Sequence, residues 1–391
     1  MARDVPKEPA VALFSGYYPA HGGGIEIVCE NLAAGFAANG YDVTWCALDD
    51  GREGPRGVAR SPLPGTDIFY RLTGTPMPLP GPRALWRIWN SVAGAQAVVI
   101  AEASFVTNAV AFLAAKILGR PILLIQHLGV PSTASPFTRT LGRACERWIA
   151  RPMLRSADAL VYVSAAVERY FHKLVARTDA LIIGHGIDTR LFAPAASPEV
   201  TARDRRELGL ADDAKVACYV GRCTPSKGIQ IIERMARMRP DWIFVIAGSG
   251  PVNPAGWRLP NVQTLGHVEP SRVAGIYRAS DVMLLPSPSE SFSLVIREAI
   301  ACSTKVICGD CILDTDPGLK PYVRALPVTL DETEQTAQDF AKALDDAGDP
   351  AIDGAAYVAK HCSREAVISG YLTALDELIG RASIHKLAAT A

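Results

Sequence analysis

The chain has 391 residues, more than one ordinary domain uses, and its 49% hydrophobic and 20% charged residues can supply two separate cores. Basic and acidic side chains number 40 each, so the formal net charge is zero and the global attraction a nucleic-acid binder relies on is absent. No apolar run approaches the ~18 residues of a membrane span and the N-terminus lacks a signal-like apolar stretch. A cytoplasmic protein is expected, peripheral at most on the inner face of a membrane.

The balance hides an asymmetry. Residues 51–178 carry 16 Lys or Arg against 6 Asp or Glu, so this segment is basic and the remainder acidic. A basic segment in a neutral chain points to an anionic partner. The 9 cysteines are odd in number and several sit in apolar runs, which reads as reduced, buried thiols. Cys308 and Cys311 have CxxC spacing but no second pair, and are given no metal or redox role.

In chain order, apolar runs at Val11–Phe14, Val43–Ala47, Ala97–Ile100, Ile122–Ile125, Ala159–Val163 and Ala180–Ile183 predict strands alternating with helices. Continuous rather than alternating apolar character implies parallel strands covered on both faces. The first strand leads into Gly22, Gly23 and Gly24 and then a helix from about Ile25. Glycines there let backbone amides of a helix start approach an anion. The spacing is not the dinucleotide G-x-G-x-x-G. Residues 50–82 are rich in Gly and Pro, with Pro76, Pro78, Pro80 and Pro82 two apart, and read as a loop or a mobile wall of a binding site. His127 follows a strand and precedes Gly129, a position suited to a substrate contact. Arg139, Arg143, Arg147, Arg151 and Arg155 recur every four residues near Trp148, with Pro152 expected to end or kink their helix. With Trp86 and Trp89 beside Arg83 and Arg87, they suggest either a face for anionic lipid or a solvated helix surface.

Gly184, Gly186, Pro194 and Pro198 punctuate the chain and mark a domain boundary. Beyond it, runs at Val216–Val220, Trp242–Ile246, Val262–Leu265, Val282–Leu285 and Val306–Cys308 predict a second parallel sheet. Arg222 and Lys227 flank a tight loop between Gly221 and Gly228 at a strand's carboxyl end, where open α/β sheets bind ligands. Such a pair can neutralise a diphosphate. Gly248 and Gly250 give G-x-G, but Asn253 replaces the third glycine. Gly266 ends the next strand. Glu290 lies on the following strand-to-helix loop. Glu298 is expected about two turns into that helix, roughly 10 Å along its axis. Carboxylates at both ends of an anion-attracting helix start can grip sugar hydroxyls on either side of a diphosphate. Asp314 and Asp316 match a short metal-binding pattern that arises often by chance. Ser363 is predicted to cap a helix over Ser363–Leu378.

The glycines at 22–24 with Glu26, the Gly221–Gly228 loop with Arg222 and Lys227, Gly248 to Pro251, Gly266 to Val268, and the block from Glu290 to Glu298 occur in one order. Together they resemble the retaining family-4 glycosyltransferases of the GT-B fold, over roughly residues 10–380. The resemblance implies an α/β protein of two Rossmann-like domains with a cleft between them. It implies an acceptor domain over 1–190, a nucleotide-sugar domain over 191–362, and a C-terminal helix over 363–391 packing back on the first. It implies a nucleoside-diphosphate sugar, UDP- or GDP-linked, as co-substrate, a saccharide or lipid-linked acceptor, and no required cofactor or metal. Arg222 and Lys227 would hold the diphosphate, Glu290 the sugar hydroxyls and Glu298 the ribose. The amides of Leu294 and Val295 would support the phosphates, Ser293 would lie in the donor site, and His127 would lie near the transferred sugar. The sequence departs from the family at Ser293, Ser303 to Val306, and Gly309 to Asp314, near the expected donor sugar. An epimerase or hydrolase on the same scaffold, or a silent nucleotide-sugar-binding subunit, are the alternatives. A dinucleotide oxidoreductase is disfavoured by both incomplete glycine fingerprints.

Overall fold

A computed structural model describes residues 8–19, 24–48, 54–68, 77–129, 136–346 and 353–390. The chain forms two compact units, residues 1–186 with 367–391, and residues 187–366.

The first unit is built on strands β1 (Ala10–Tyr17), β2 (Asp42–Leu48), β3 (Val58–Leu63), β6 (Ala97–Ala101), β7 (Ile122–Gln126), β8 (Ala159–Tyr162) and β9 (Leu181–Ile182). They form one sheet in the order β3-β2-β1-β6-β7-β8-β9, with every pairing parallel. β6 and β7 are buried along their whole length, which is why they read as unbroken apolar runs. Strand order reverses between β1 and β6, so the loops after these two strands flank the sheet's switch point. Of the proline-rich stretch, the described residues 54–68 and 77–82 include regular structure. Val58–Leu63 joins the sheet as an edge strand, where Pro62 lacks a ladder amide at little cost, and β4 (Gly65–Thr66) pairs antiparallel with β5 (Leu79–Pro80).

The arginine-rich helix does not end at Pro152. Pro136–Cys145 passes through a π-helical turn at Glu146–Ala150 into Arg151–Ser156. The Arg151 N–H donates to the Glu146 carbonyl, five residues back. This wider turn accommodates the N–H that Pro152 lacks.

The long helix Arg364–Thr390 starts with Ser363, whose Oγ accepts from the Ala366 N–H at 3.2 Å. From Val367 onward it belongs to the first unit. There Tyr371 Oη donates to the Ile183 carbonyl at 3.2 Å, and Tyr41 Oη donates to Asp376. Gly35 allows the close approach, since a Cβ there would overlap Ile368.

The second unit holds β10 (Val216–Val220), β11 (Ile243–Ala247), β12 (Val262–Gly266), β13 (Val282–Leu285), β14 (Lys305–Gly309) and β15 (Arg324–Leu326). Their order is β12-β11-β10-β13-β14-β15, again all parallel. The reversal lies between β10 and β13, whose outgoing loops carry Gly221–Gly228 and Pro286–Glu290.

Candidate active site

In the second unit, glycines let three loops pack backbone against backbone. Gly248 (φ +143°) follows β11 and would drive a Cβ into the Gly221 carbonyl; Gly228 (φ +71°) would do the same to the Pro286 carbonyl. The Cys223 N–H donates to the Ser249 carbonyl at 2.9 Å, and the Gly248 N–H to the Gly266 carbonyl at 2.7 Å. The Gly221–Gly228 loop is thus held between the loops following β11 and β13. This brings Lys227 to Glu290, with Nζ donating to Oε1 at 2.7 Å. The Glu290 side chain is only 7% exposed and that of Lys227 25%. The two charges read from sequence as gripping opposite ends of one ligand therefore neutralise each other here. Arg222 on the same loop is exposed, and its carbonyl accepts from Tyr219 Oη at 2.8 Å.

The helix after Glu290 runs Leu294–Ala301, so Glu298 sits about one turn inside it, not two. Ser293 precedes it at φ +58°, ψ 91°, a left-handed conformation that costs a β-carbon-bearing residue about 1–2 kcal/mol. Its Oγ is buried without a hydrogen-bond partner among the described residues. The Ser293 side chain makes no capping bond to this helix, and the first-turn amides of Leu294 and Val295 have no intrahelical acceptors. Arg297, 1% exposed, fixes the strained turn. Its Nη1 donates to the carbonyls of Phe292 and Ser293, its Nη2 to Asp316 Oδ2 at 3.3 Å, and its guanidinium lies 3.7 Å over the Phe292 ring. Asp316 also accepts from Tyr357 Oη at 2.9 Å and from the Gly318 N–H at 3.0 Å. This half of the Asp314–Asp316 pair thus anchors the loop. Burial pushes the Glu298 carboxyl up to about 7, although Tyr277 Oη donates to its Oε2 at 3.2 Å and pulls the other way.

The first unit places a second polar cluster at its own switch point. Of the three N-terminal glycines, Gly24 opens the helix Gly24–Ala38, while Gly22 and Gly23 lie outside the described residues. His127 follows β7 and is 2% exposed. Burial holds its imidazole neutral, lowering its pKa to about 3. Glu102, which nothing in the sequence singled out, directly follows β6 at φ +83° and is fully buried. Its carboxylate accepts from the amides of His127 and Leu128 at 3.2 and 2.9 Å, and from Gln126 Nε2 at 2.7 Å. Burial nevertheless raises the Glu102 pKa. Asn108 Nδ2 ties down the same turn through the carbonyls of Ala101 and Glu102, at 2.6 and 2.8 Å. Only the folded backbone reveals this clamp, because Ala101 to Ser104 reads in sequence as an ordinary charged turn.

Comparison with known proteins accounts for both halves. The profile of Glycosyltransferase Family 4 matches residues 22–191, and that of Glycosyl transferases group 1 matches residues 200–349. The chain is 28% identical over 327 residues to the D-inositol 3-phosphate glycosyltransferase of Acidothermus cellulolyticus, covering 73% of this chain and 70% of that protein. It is 27% identical over 238 residues to the namesake from Corynebacterium aurimucosum, covering 54% of this chain and 55% of the relative. The chain thus spans only about half the length of that relative. Among solved structures, sucrose-phosphate synthase from Thermosynechococcus elongatus superposes with a TM-score of 0.74 at 20% identity, covering 95% of this chain and all (100%) of that one. HepE from Anabaena, solved with UDP, gives 0.71 at 16% identity, covering 94% and 100%. These likenesses establish the architecture, two parallel α/β units of the GT-B type. By the paired profiles and that shared architecture, the chain belongs to the family-4 glycosyltransferases of the GT-B fold.

Proposed function

We propose that the protein is a retaining glycosyltransferase that moves a hexose or related sugar from a nucleoside-diphosphate sugar to a saccharide or lipid-linked acceptor. The observation that carries this reading is the Lys227–Glu290 pair beside the helix start at Leu294, where the N-cap side chain of Ser293 makes no capping bond. An ammonium, a carboxylate and open amides converge at the switch point of one parallel sheet, which suits an anion joined to a polyol. On this reading Lys227 and Arg222 hold the diphosphate, with Ser293 and the amides of Leu294 and Val295. Gly221 and Gly266 leave room for backbone to approach the ligand. Glu290, released from Lys227, accepts from sugar hydroxyls, and Glu298 accepts from the ribose. As the anomeric C–O bond to the diphosphate breaks, the acceptor oxygen bonds on the same face and its proton passes to the leaving phosphate. Lys227 and Arg222 stabilise the charge that develops on that phosphate. His127 hydrogen-bonds a hydroxyl of the transferred sugar. The reaction so drawn needs no metal.

An anionic acceptor accords with the basic 51–178 segment and with relatives named for a phosphorylated inositol. A peripheral seat on anionic lipid is part of the same proposal. Helices Pro82–Gly94 and Val106–Ile117 contain no acidic residue, touch each other, and expose Leu85, Trp86, Trp89, Leu113 and Ile117. The π-helical turn touching the second of them exposes Trp148 with Arg147 stacked on its ring at 5.4 Å. Cations interleaved with exposed aromatics match a headgroup region. Among the described residues no helix is long and apolar enough to cross a membrane.

The test is a thermal-shift series with UDP-, GDP- and ADP-sugars, followed by product analysis with and without acceptors. A stabilising donor, consumed only with acceptor and giving an α-linked product from an α-linked donor, is expected. Turnover to an epimer without acceptor, or no stabilisation by any nucleotide-sugar, would overturn the proposal.

A further inference from the structure

His127 and His185 form a buried imidazole pair within the first unit. His127 Nδ1 lies 3.1 Å from His185 Nε2, and the ring centroids are 5.2 Å apart with planes tilted by 35°. Both residues are buried, at 2% and 7% exposure. The other ring nitrogen of His127, Nε2, is buried and has no hydrogen-bond partner among the described residues. The backbone on either side is already fixed, since Glu102 binds the amides of His127 and Leu128, and Gln126 Nε2 donates to the Leu128 carbonyl at 2.8 Å. The ring's remaining freedom is its tautomer, and the partner of Nδ1 decides it.

A neutral imidazole carries one proton, so a hydrogen bond between the two nitrogens has one donor and one acceptor. If His185 donated, the His127 proton would sit on Nε2 as a buried N–H with no acceptor. If His127 donates, Nε2 is left as a buried lone pair. An unmet acceptor is the more readily tolerated of the two. We infer that His185 is a positioning residue: its Nε2 accepts from His127 Nδ1–H and leaves His127 Nε2 as a hydrogen-bond acceptor for a substrate hydroxyl. The identity of that hydroxyl as a sugar's rests on the function proposed above; the tautomer does not.

The experiment separates the two. Long-range 1H–15N spectra of the whole protein labelled at histidine, with His127→Asn for assignment, report the His127 tautomer at neutral pH without any turnover. The Nδ1–H form is expected in the parent and in His185→Gln, whose side-chain oxygen still accepts. His185→Phe, of similar bulk but with no acceptor, is expected to shift His127 toward the Nε2–H form. Should His185→Phe not fold, the parent and Gln spectra decide alone. In sugar transfer, His185→Phe should lower kcat/KM about tenfold and His185→Gln should recover most of it, a rescue that a purely structural role would not give. An Nε2–H tautomer in the parent, or one unmoved by His185→Phe, overturns the inference even if sugar transfer is confirmed. A protein that transfers no sugar but shows the expected spectra retains the pairing and loses only the hydroxyl's identity.

Discussion

Replacing Glu298 by Gln removes a carboxyl that burial pushes from its ordinary 4.5 to about 7. The folded protein holds this proton more tightly than the unfolded chain. The group's contribution to stability is therefore complete below about pH 4.5 and is lost as pH rises through 7. The displacement corresponds to at most about 3 kcal/mol at pH 8. Gln has the same shape, stays neutral and can still accept from Tyr277 Oη. Urea unfolding followed by circular dichroism should show Glu298→Gln more stable than the parent at pH 8, by up to ~3 kcal/mol, and indistinguishable at pH 4.5. Ligand binding should move the other way. If the ionised carboxylate accepts from ribose hydroxyls, the competent fraction rises from about one-eleventh at pH 6 to about ten-elevenths at pH 8, and the affinity for a nucleotide-sugar about tenfold. The pyrophosphate diester of such a donor does not titrate in that window. Isothermal titration calorimetry with UDP-glucose, or whichever donor stabilises the protein, should find that slope in the parent and a weak, flat response in the variant. Equal stability of the two proteins at pH 8, or a parent affinity independent of pH, would refute the reasoning.

Lys227→Ala and Glu290→Ala are each expected to lower turnover at least ~100-fold, the usual effect of losing a charge-stabilising group; near-parental rates in a coupled assay for released nucleoside diphosphate would remove both from the mechanism. Ser293→Gly should relieve the left-handed backbone and raise stability by about 1 kcal/mol, while weakening donor binding several-fold through loss of the buried hydroxyl. Denaturant melts and calorimetry read the two effects separately. The parent should co-sediment with phosphatidylglycerol vesicles at low salt and not with phosphatidylcholine, and the double variant Trp86→Ala, Trp148→Ala should lose most of that binding. Failure of the parent to bind anionic vesicles ends the lipid proposal.

The sheets were legible because their central strands are buried on both faces and so carry unbroken apolar runs, such as Ile122–Gln126 and Val216–Val220. The edges were not. Val58–Leu63 contains Arg60 and Pro62, and Arg324–Leu326 is only half-buried, so neither has a run to read. Leu181–Ile182, the other edge of the first sheet, is exposed and shorter than its apolar stretch. The glycine loops of the second unit were visible because close backbone approach excludes every other residue. The supports were hidden. Arg297 and Glu102 carry no sequence signal, because a buried charge declares itself only when its partners arrive from other segments of the fold. His185 lies between the two glycines of the domain boundary, and no sequence pattern singles it out. Its significance depends on a ring 58 residues earlier in the chain.

On the proposed reading, the bond between Lys227 and Glu290 gives the donor site an internal placeholder. An arriving anion would compete with an internal carboxylate for the ammonium, and inorganic phosphate offers the carboxylate it displaces fewer donors than a ring of hydroxyls does. A molecule carrying both a diphosphate and a ring of hydroxyls completes an exchange of partners. Once the carbohydrate had gone, the abandoned carboxylate would recapture the ammonium, so on that reading the pair that screens entrants would also hasten the exit of the spent nucleotide.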